Sequence, residues 1–178
     1  MNLFRRLISH EDSHNWIAII ISVIALLWSS GFSYFQNEQS YEHNKKSVTP
    51  IMNFYIFNSE ESGYKIQNVG VGPAIIHGVR ASNKNSNHQY DDWDDLVRNG
   101  LGYNGKYICS DTMKNTAQEN GAERKLVIIS ESLKVQKSTP IKLELCYCSV
   151  YEDCWVSSTE EGNYRVDNCS SFTETLQC

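Results

Sequence analysis

The chain has 178 residues, 40% of them hydrophobic, and a formal net charge of -5 at pH 7. That acidic balance speaks against a nucleic-acid binder, which needs a basic face. The length suits one domain with an appendage, and neither a repeat nor a low-complexity tract points to a solenoid or a disordered array.

The first element is an apolar run, "WIAIIISVIALLWSSGFSYF", covering 16–35 without a charged residue. A helix of this length spans about 30 Å at about 1.5 Å per residue, the thickness of a bilayer core. Trp16, Trp28, Tyr34 and Phe35 lie towards its ends, where amphipathic rings favour the interface. The run lacks the polar stripe of a core helix. A cleaved signal peptide is the competing reading, since "SSG" follows Trp28, but the preceding region is long and holds Glu11 and Asp12. The expectation is a transmembrane helix over 16–35 that contacts the lipid bilayer. Residues 1–15 then form a short cytoplasmic tail. Arg5 and Arg6 with the free amine precede the span, and Lys45 and Lys46 follow it at the same separation, so the added amine tilts the orientation to a C-terminal side outside the cytoplasm of the inner (cell) membrane. "HEDSH", His10 to His14, matches the spelling of a zinc-peptidase helix. It sits beside a membrane span with no cleft to belong to, and reads as a chance match.

Residues 36–49 are polar and form a stalk. Leu27, Tyr34, Tyr41 and Val48 recur every seven residues, a seam too sparse for a coiled coil, and homo-oligomerisation stays open. Pro50 ends any helix that continues this far. From there to about residue 160 the pattern is β. "IMNFYIF" (51–57) and "GYKIQNV" (63–69) are strands, and "NVGVGPAIIHGVRA" holds a Gly-Pro turn and a further strand. His77 within it reads as a packed core histidine. "DDWDDLVRNG" (91–100) is a short helix with Trp93, Leu96 and Val97 on one face, acids at its positive end and Gly100 as cap. Those acids explain themselves as a helix start better than as a calcium site. Asn104–Gly105 predicts a two-residue hairpin turn. "ERKLVIIS" (123–130) and "PIKLELCYCSV" (140–150) complete six or seven strands. The expected fold is mainly β: an antiparallel β-sandwich-like domain over 50–160 with one short helix, then a Ser/Thr-rich cysteine-containing tail over 161–178.

The "NVGVGPAII" element, an Asn-x-Gly-x-Gly-Pro-Ala segment between two strands soon after an apolar span, resembles small uncharacterised bacterial single-span membrane proteins. The "YCSVYEDCW" hairpin is similar to the same kind of sequence. The resemblance implies an anchored β-domain and brings no activity with it.

All six cysteines, Cys109, Cys146, Cys148, Cys154, Cys169 and Cys178, follow residue 108. On the strand from 141, Ile141, Leu143, Leu145 and Tyr147 share one face. Lys142, Glu144, Cys146 and Cys148 share the other. The two cysteines therefore lie outside the main core. A three-residue loop at Val150–Glu152 sets Cys148 opposite Cys154 and Tyr147 opposite Trp155, with faces that agree. A disulfide between Cys148 and Cys154 is the favoured reading. Free thiols and a metal site are the rivals, but Cys-x-Cys-x5-Cys is not the paired spacing of zinc knuckles, and no metal is expected. Cys146 or Cys109 is left to pair with Cys169 or Cys178.

Motifs for nucleophilic, phosphate or dinucleotide chemistry are absent. The expectation is a non-enzyme without cofactor, an envelope-tethered binding module with a protein partner in the envelope. The alternative is a membrane effector of stress or antiviral defence whose β-domain senses a signal and whose span disrupts the membrane.

Overall fold

The computed structural model describes the backbone of residues 2–86, 88–110, 113–129, 135, 139–172 and 176–178, and the side chains among them from residue 18 onward. The chain forms two compact units, Met1–Lys46 and Ser47–Cys178.

The first unit is helical. Helix α1 runs from Asn2 to Ser47, so the polar stalk continues the apolar helix without a break. It stops three residues before Pro50, as the missing amide proton of proline requires. Lys45 and Lys46 occupy its last turn, where a cation favours the negative end of the helix dipole. Within the apolar part, Ser22 and Ser30 donate their hydroxyls to the carbonyls of Ala18 (2.8 Å) and Leu26 (2.7 Å). These two hydroxyls are thus satisfied by the helix itself, which an apolar medium demands. Ile19 to Phe35 remain exposed, and the helix is long and apolar enough to cross a membrane.

The second unit is a β-sandwich of two antiparallel sheets. Strands β1 (Met52–Asn58), β2 (Ser62–Asn68), β7 (Glu123–Ile129) and β5 (Tyr107–Cys109) form the first sheet, in the spatial order β1-β2-β7-β5. The second sheet has the order β10-β9-β8-β3-β4, with β6 also paired to β3. Its strands are β10 (Gly162–Val166), β9 (Cys154–Ser158), β8 (Ile141–Cys148), β3 (Ala74–Asn83), β4 (Gln89–Tyr90) and β6 (Thr116–Gln118). The inner faces meet in one core. Met52, Ile66, Val127 and Ile129 come from the first sheet, and Ile76, Val79, Leu143, Leu145 and Tyr147 from the second.

Two bulges shape this core. In β3 the register with β8 shifts between Ile76 and Gly78, so His77 is the extra residue. Burial therefore runs Ala74, Ile76 and then Val79, Ala81, a change of parity that keeps both halves of the strand facing inward. In β7 the shift opposite Tyr64 and Lys65 makes Leu126 the extra residue, and both Leu126 and Val127 are wholly buried.

The structure has ten strands among the described residues, more than the six or seven expected. Three of the additional ones, β4, β5 and β6, have two or three residues each, too few to show a period. Another, β10, lies in the stretch read as a tail, so the folded unit extends past residue 160. Asn104–Gly105 does not turn a hairpin. Tyr107–Cys109 pairs with β7 instead, and the ring of Tyr103 occupies the space where a Gly105 side chain would stand. The helix over 91–100 begins as expected, with Asp92 Oδ1 accepting from Asp95 N–H at 2.7 Å. It then widens into a π-helical turn, Leu96–Gly100. Gly100 does not cap it but lies inside that turn, against the ring of Tyr90.

Candidate functional site

Three places gather polar or reactive groups, and the first is the Asn-x-Gly-x-Gly-Pro-Ala element. Asn68 ends β2 and is wholly buried. Its Oδ1 accepts from the N–H of Ile51 (3.3 Å) and of Gly70 (3.0 Å). Its Nδ2 donates to the carbonyls of Gly72 (2.7 Å) and Gln118 (2.9 Å). The loop that follows pairs with the chain entering the domain: Val69 N–H donates to Ile51 O at 2.8 Å and Val71 N–H to Thr49 O at 3.1 Å. A β-carbon on Gly70 would stand 2.2 Å from Ile51 N, and one on Gly72 1.8 Å from Val48 O. The motif is therefore a clasp that holds residues 48–51 against the sandwich. It binds its own chain, and no side-chain chemistry remains free in Asn68.

The second place is the outer face of the larger sheet. Cys146 and Cys148 lie outside the main core but are not exposed. They form a second apolar cluster with Cys154, Val156, Cys169 and Phe172. Cys148 pairs across from Cys154 and Tyr147 across from Trp155, whose rings stack with centroids 5.9 Å apart. Ser149 N–H donates to Asp153 O at 2.8 Å, which closes a three-residue loop with Glu152 in the left-handed region (φ 63°). Disulfides join Cys148 to Cys154, Cys146 to Cys169 and Cys109 to Cys178. The chain after β10 is thus fixed twice. Cys169 and Phe172 cover the cysteine face. Leu176 returns to the main core, and Cys178 is tied to β5.

The charges expected on this face are also covered. Arg80 lies over the ring of Phe172, 4.2 Å from its centroid, and its Nε reaches Glu144 Oε2 at 2.7 Å. Lys142 Nζ lies 3.0 Å from Glu144 Oε1, and Tyr164 donates its hydroxyl to the same oxygen at 3.2 Å. Burial pushes the Glu144 carboxyl up, but its hydrogen bonds to Arg80 and Lys142 outweigh that, and it titrates below the usual glutamate range.

The third place is an open cleft of about 610 Å³ beside β5. Ile108 and Ile128 form its floor, directly opposite each other, and Glu60, Arg98 and Lys106 stand around it. The floor continues in register through Gly63 to Phe57. Lys125 lies 5.2 Å from the Phe57 ring and Lys65 5.7 Å from that of Tyr55, so cations cover aromatic faces here. Tyr107 donates its hydroxyl to Asp94 at 2.8 Å. Burial and then that bond raise the phenol to about 12, so it stays a donor at neutral pH.

Three of the four acids of "DDWDD" are occupied within the fold. Asp92 caps the helix, Asp94 pairs with Arg98 and Tyr107, and Asp95 accepts from Asn99. His77 is half-buried at the β3 bulge. "HEDSH" lies within α1, and its side chains fall outside the described residues. Sequence reasoning missed Phe172 and Leu176 as core residues. Their apolar character in a polar tail was the available signal.

The geometry defines a class of protein, a disulfide-crosslinked β-sandwich joined to an apolar helix that can serve as membrane anchor or signal sequence. No protein-family model matches the chain, and no curated protein does.

Proposed function

We propose that this is a single-pass protein of a bacterial inner membrane, anchored by residues 16–35, with its β-sandwich outside the cytoplasm as a binding module for another envelope protein. The observation that carries the reading is the distribution of cysteine: all six residues are paired, and all lie beyond the apolar helix. Disulfides persist in oxidising compartments and are reduced in the cytosol. The binding surface is the cleft floor of Ile108, Ile128 and Phe57. An apolar row on a sheet face, with charges at its rim, has the make-up of a protein interface.

The test has two parts. A C-terminal reporter active only in an oxidising compartment should be active, and activity only of a cytosolic reporter would favour an intracellular sensing domain instead. A photo-crosslinking residue at position 108 should give a discrete protein adduct in cells. The same residue at Val150, exposed on the hairpin tip, should not. Identical patterns at both positions would remove the cleft from the proposal.

A further inference from the structure

We propose that the four cysteines on the outer face of the larger sheet form a thiol–disulfide exchange site whose co-substrate is a dithiol reductant. Two disulfides lie side by side there, Cys148–Cys154 and Cys146–Cys169. Their nearest sulfurs, Cys148 Sγ and Cys169 Sγ, are 3.7 Å apart, in van der Waals contact although not bonded. The sulfurs of Cys148, Cys154 and Cys169 all fall within 4.8 Å of one another. Exchange requires a thiolate in contact with a disulfide sulfur, and here the fold holds that contact in place.

Access differs among the four. Cys146 is wholly buried, Cys148 and Cys154 are 6% exposed and Cys169 is 9% exposed. An external thiolate cannot meet Cys146, and of the other three sulfurs it is attack at Cys154, beside the hairpin loop, that frees the sulfur already in contact with Cys169. Attack on Cys154 Sγ forms a mixed disulfide and expels Cys148 as a thiolate. That thiolate attacks Cys169 Sγ, the Cys148–Cys169 bond forms, the Cys146–Cys169 bond breaks, and Cys146 leaves as a thiolate that takes a proton from water. The second thiol of the reductant then attacks its own sulfur in the mixed disulfide and releases Cys154 as a thiol. Two electrons pass from the dithiol, which becomes a disulfide. The protein exchanges two disulfides for one, with thiols at Cys146 and Cys154.

The exchange has a structural output. Cys169 moves its anchor two residues along β8, about 7 Å at the usual rise per residue. Phe172, three residues further on, sits over Arg80, which holds Glu144. The change of anchor alters the restraint on Phe172 over Arg80, and loss of the Cys148–Cys154 bond unlocks the hairpin tip. A small reducing equivalent thus changes the surface of the larger sheet while Cys148–Cys169 and Cys109–Cys178 keep the tail attached.

The experiment is partial reduction of the full chain in detergent with dithiothreitol, under native conditions. Acid quenching, alkylation and peptide mapping of the two-thiol species that retains Cys109–Cys178 then locate the thiols. The expected main product carries label on Cys146 and Cys154, with Cys148 linked to Cys169. Label on Cys148 and Cys154 with Cys146–Cys169 intact would overturn the proposal, as would label on Cys146 and Cys169 with Cys148–Cys154 intact. A second measurement uses Cys154→Ser, which leaves Cys148 unpaired without any reductant. Its free thiol should be found mainly at Cys146, and a thiol that stays at Cys148 counts against exchange.

Discussion

Single residues here carry loads that their types disguise. Asn68 makes four side-chain hydrogen bonds while wholly buried, two as acceptor and two as donor. Asn68→Asp keeps the shape but turns an oxygen towards the carbonyls of Gly72 and Gln118. Two buried acceptors then lack a donor, and the expected loss is roughly 2–4 kcal/mol in urea unfolding of the full chain in detergent. An unchanged midpoint would show that the clasp contributes nothing to stability. Glu152 is the opposite case, a side chain in a conformation that suits glycine (φ 63°). The left-handed region costs about 1–2 kcal/mol and glycine loses about 0.5–1 kcal/mol through chain entropy, so Glu152→Gly should gain roughly 0.5–1 kcal/mol. A loss in the same assay would mean that the Glu152 side chain holds the loop.

Elements meet where a small residue or a charge permits it. Gly63 on β2 lies opposite Ile128 on β7, and a β-carbon there would stand 1.9 Å from Val127 O. Gly63→Ala must push the two strands apart, at an expected cost of roughly 1–3 kcal/mol, read from the denaturation midpoint. On the larger sheet, β3 and β8 are joined outside the core by Arg80, Glu144 and Lys142. Because the folded-state Glu144 titrates below its unfolded value, its contribution is complete above about pH 4.3 and disappears as pH falls through the lower, folded value. Stability should therefore drop on acidification below about pH 4.3, and less so in Glu144→Gln. Equal acid sensitivity of the two proteins would assign the effect to other carboxylates.

At the scale of the molecule, the cross-links rank by the loop each closes. Sequence separations are 69 for Cys109–Cys178, 23 for Cys146–Cys169 and 6 for Cys148–Cys154. Chain entropy then assigns them about 4, about 3 and about 2 kcal/mol. Replacing each pair with alanine in turn should give that order of midpoints, with Cys109/Cys178 the most damaging. If the hairpin pair proves the most damaging, packing of the cysteine face outweighs loop closure. The same bond bears on how the tail is read. Residues from 161 on, polar in composition, supply an edge strand, the cover of the cysteine face and a core leucine.

What the residues determined alone was local. An uninterrupted apolar run makes a helix with no face to hide, and parity along 141–148 separates Leu143 and Leu145 from Cys146 and Cys148. A three-residue hairpin loop then sets Cys148 beside Cys154, because all three features depend on neighbours a few positions apart. Tertiary structure decided the rest. Strands of two or three residues exist only because a longer partner such as β3 or β7 offers its edge. The bulges at His77 and Leu126 appear only when two registers must both fill one core. Asn68, Gly70 and Gly72 look like a turn in isolation and become a clasp because residues 48–51 lie against them. The partners of Cys109 and Cys146 follow from the path of the tail, and that path is set by where Phe172 and Leu176 can leave water. Burial of those tail residues is a property of the assembled surface, and the sequence of 161–178 has no period that encodes it.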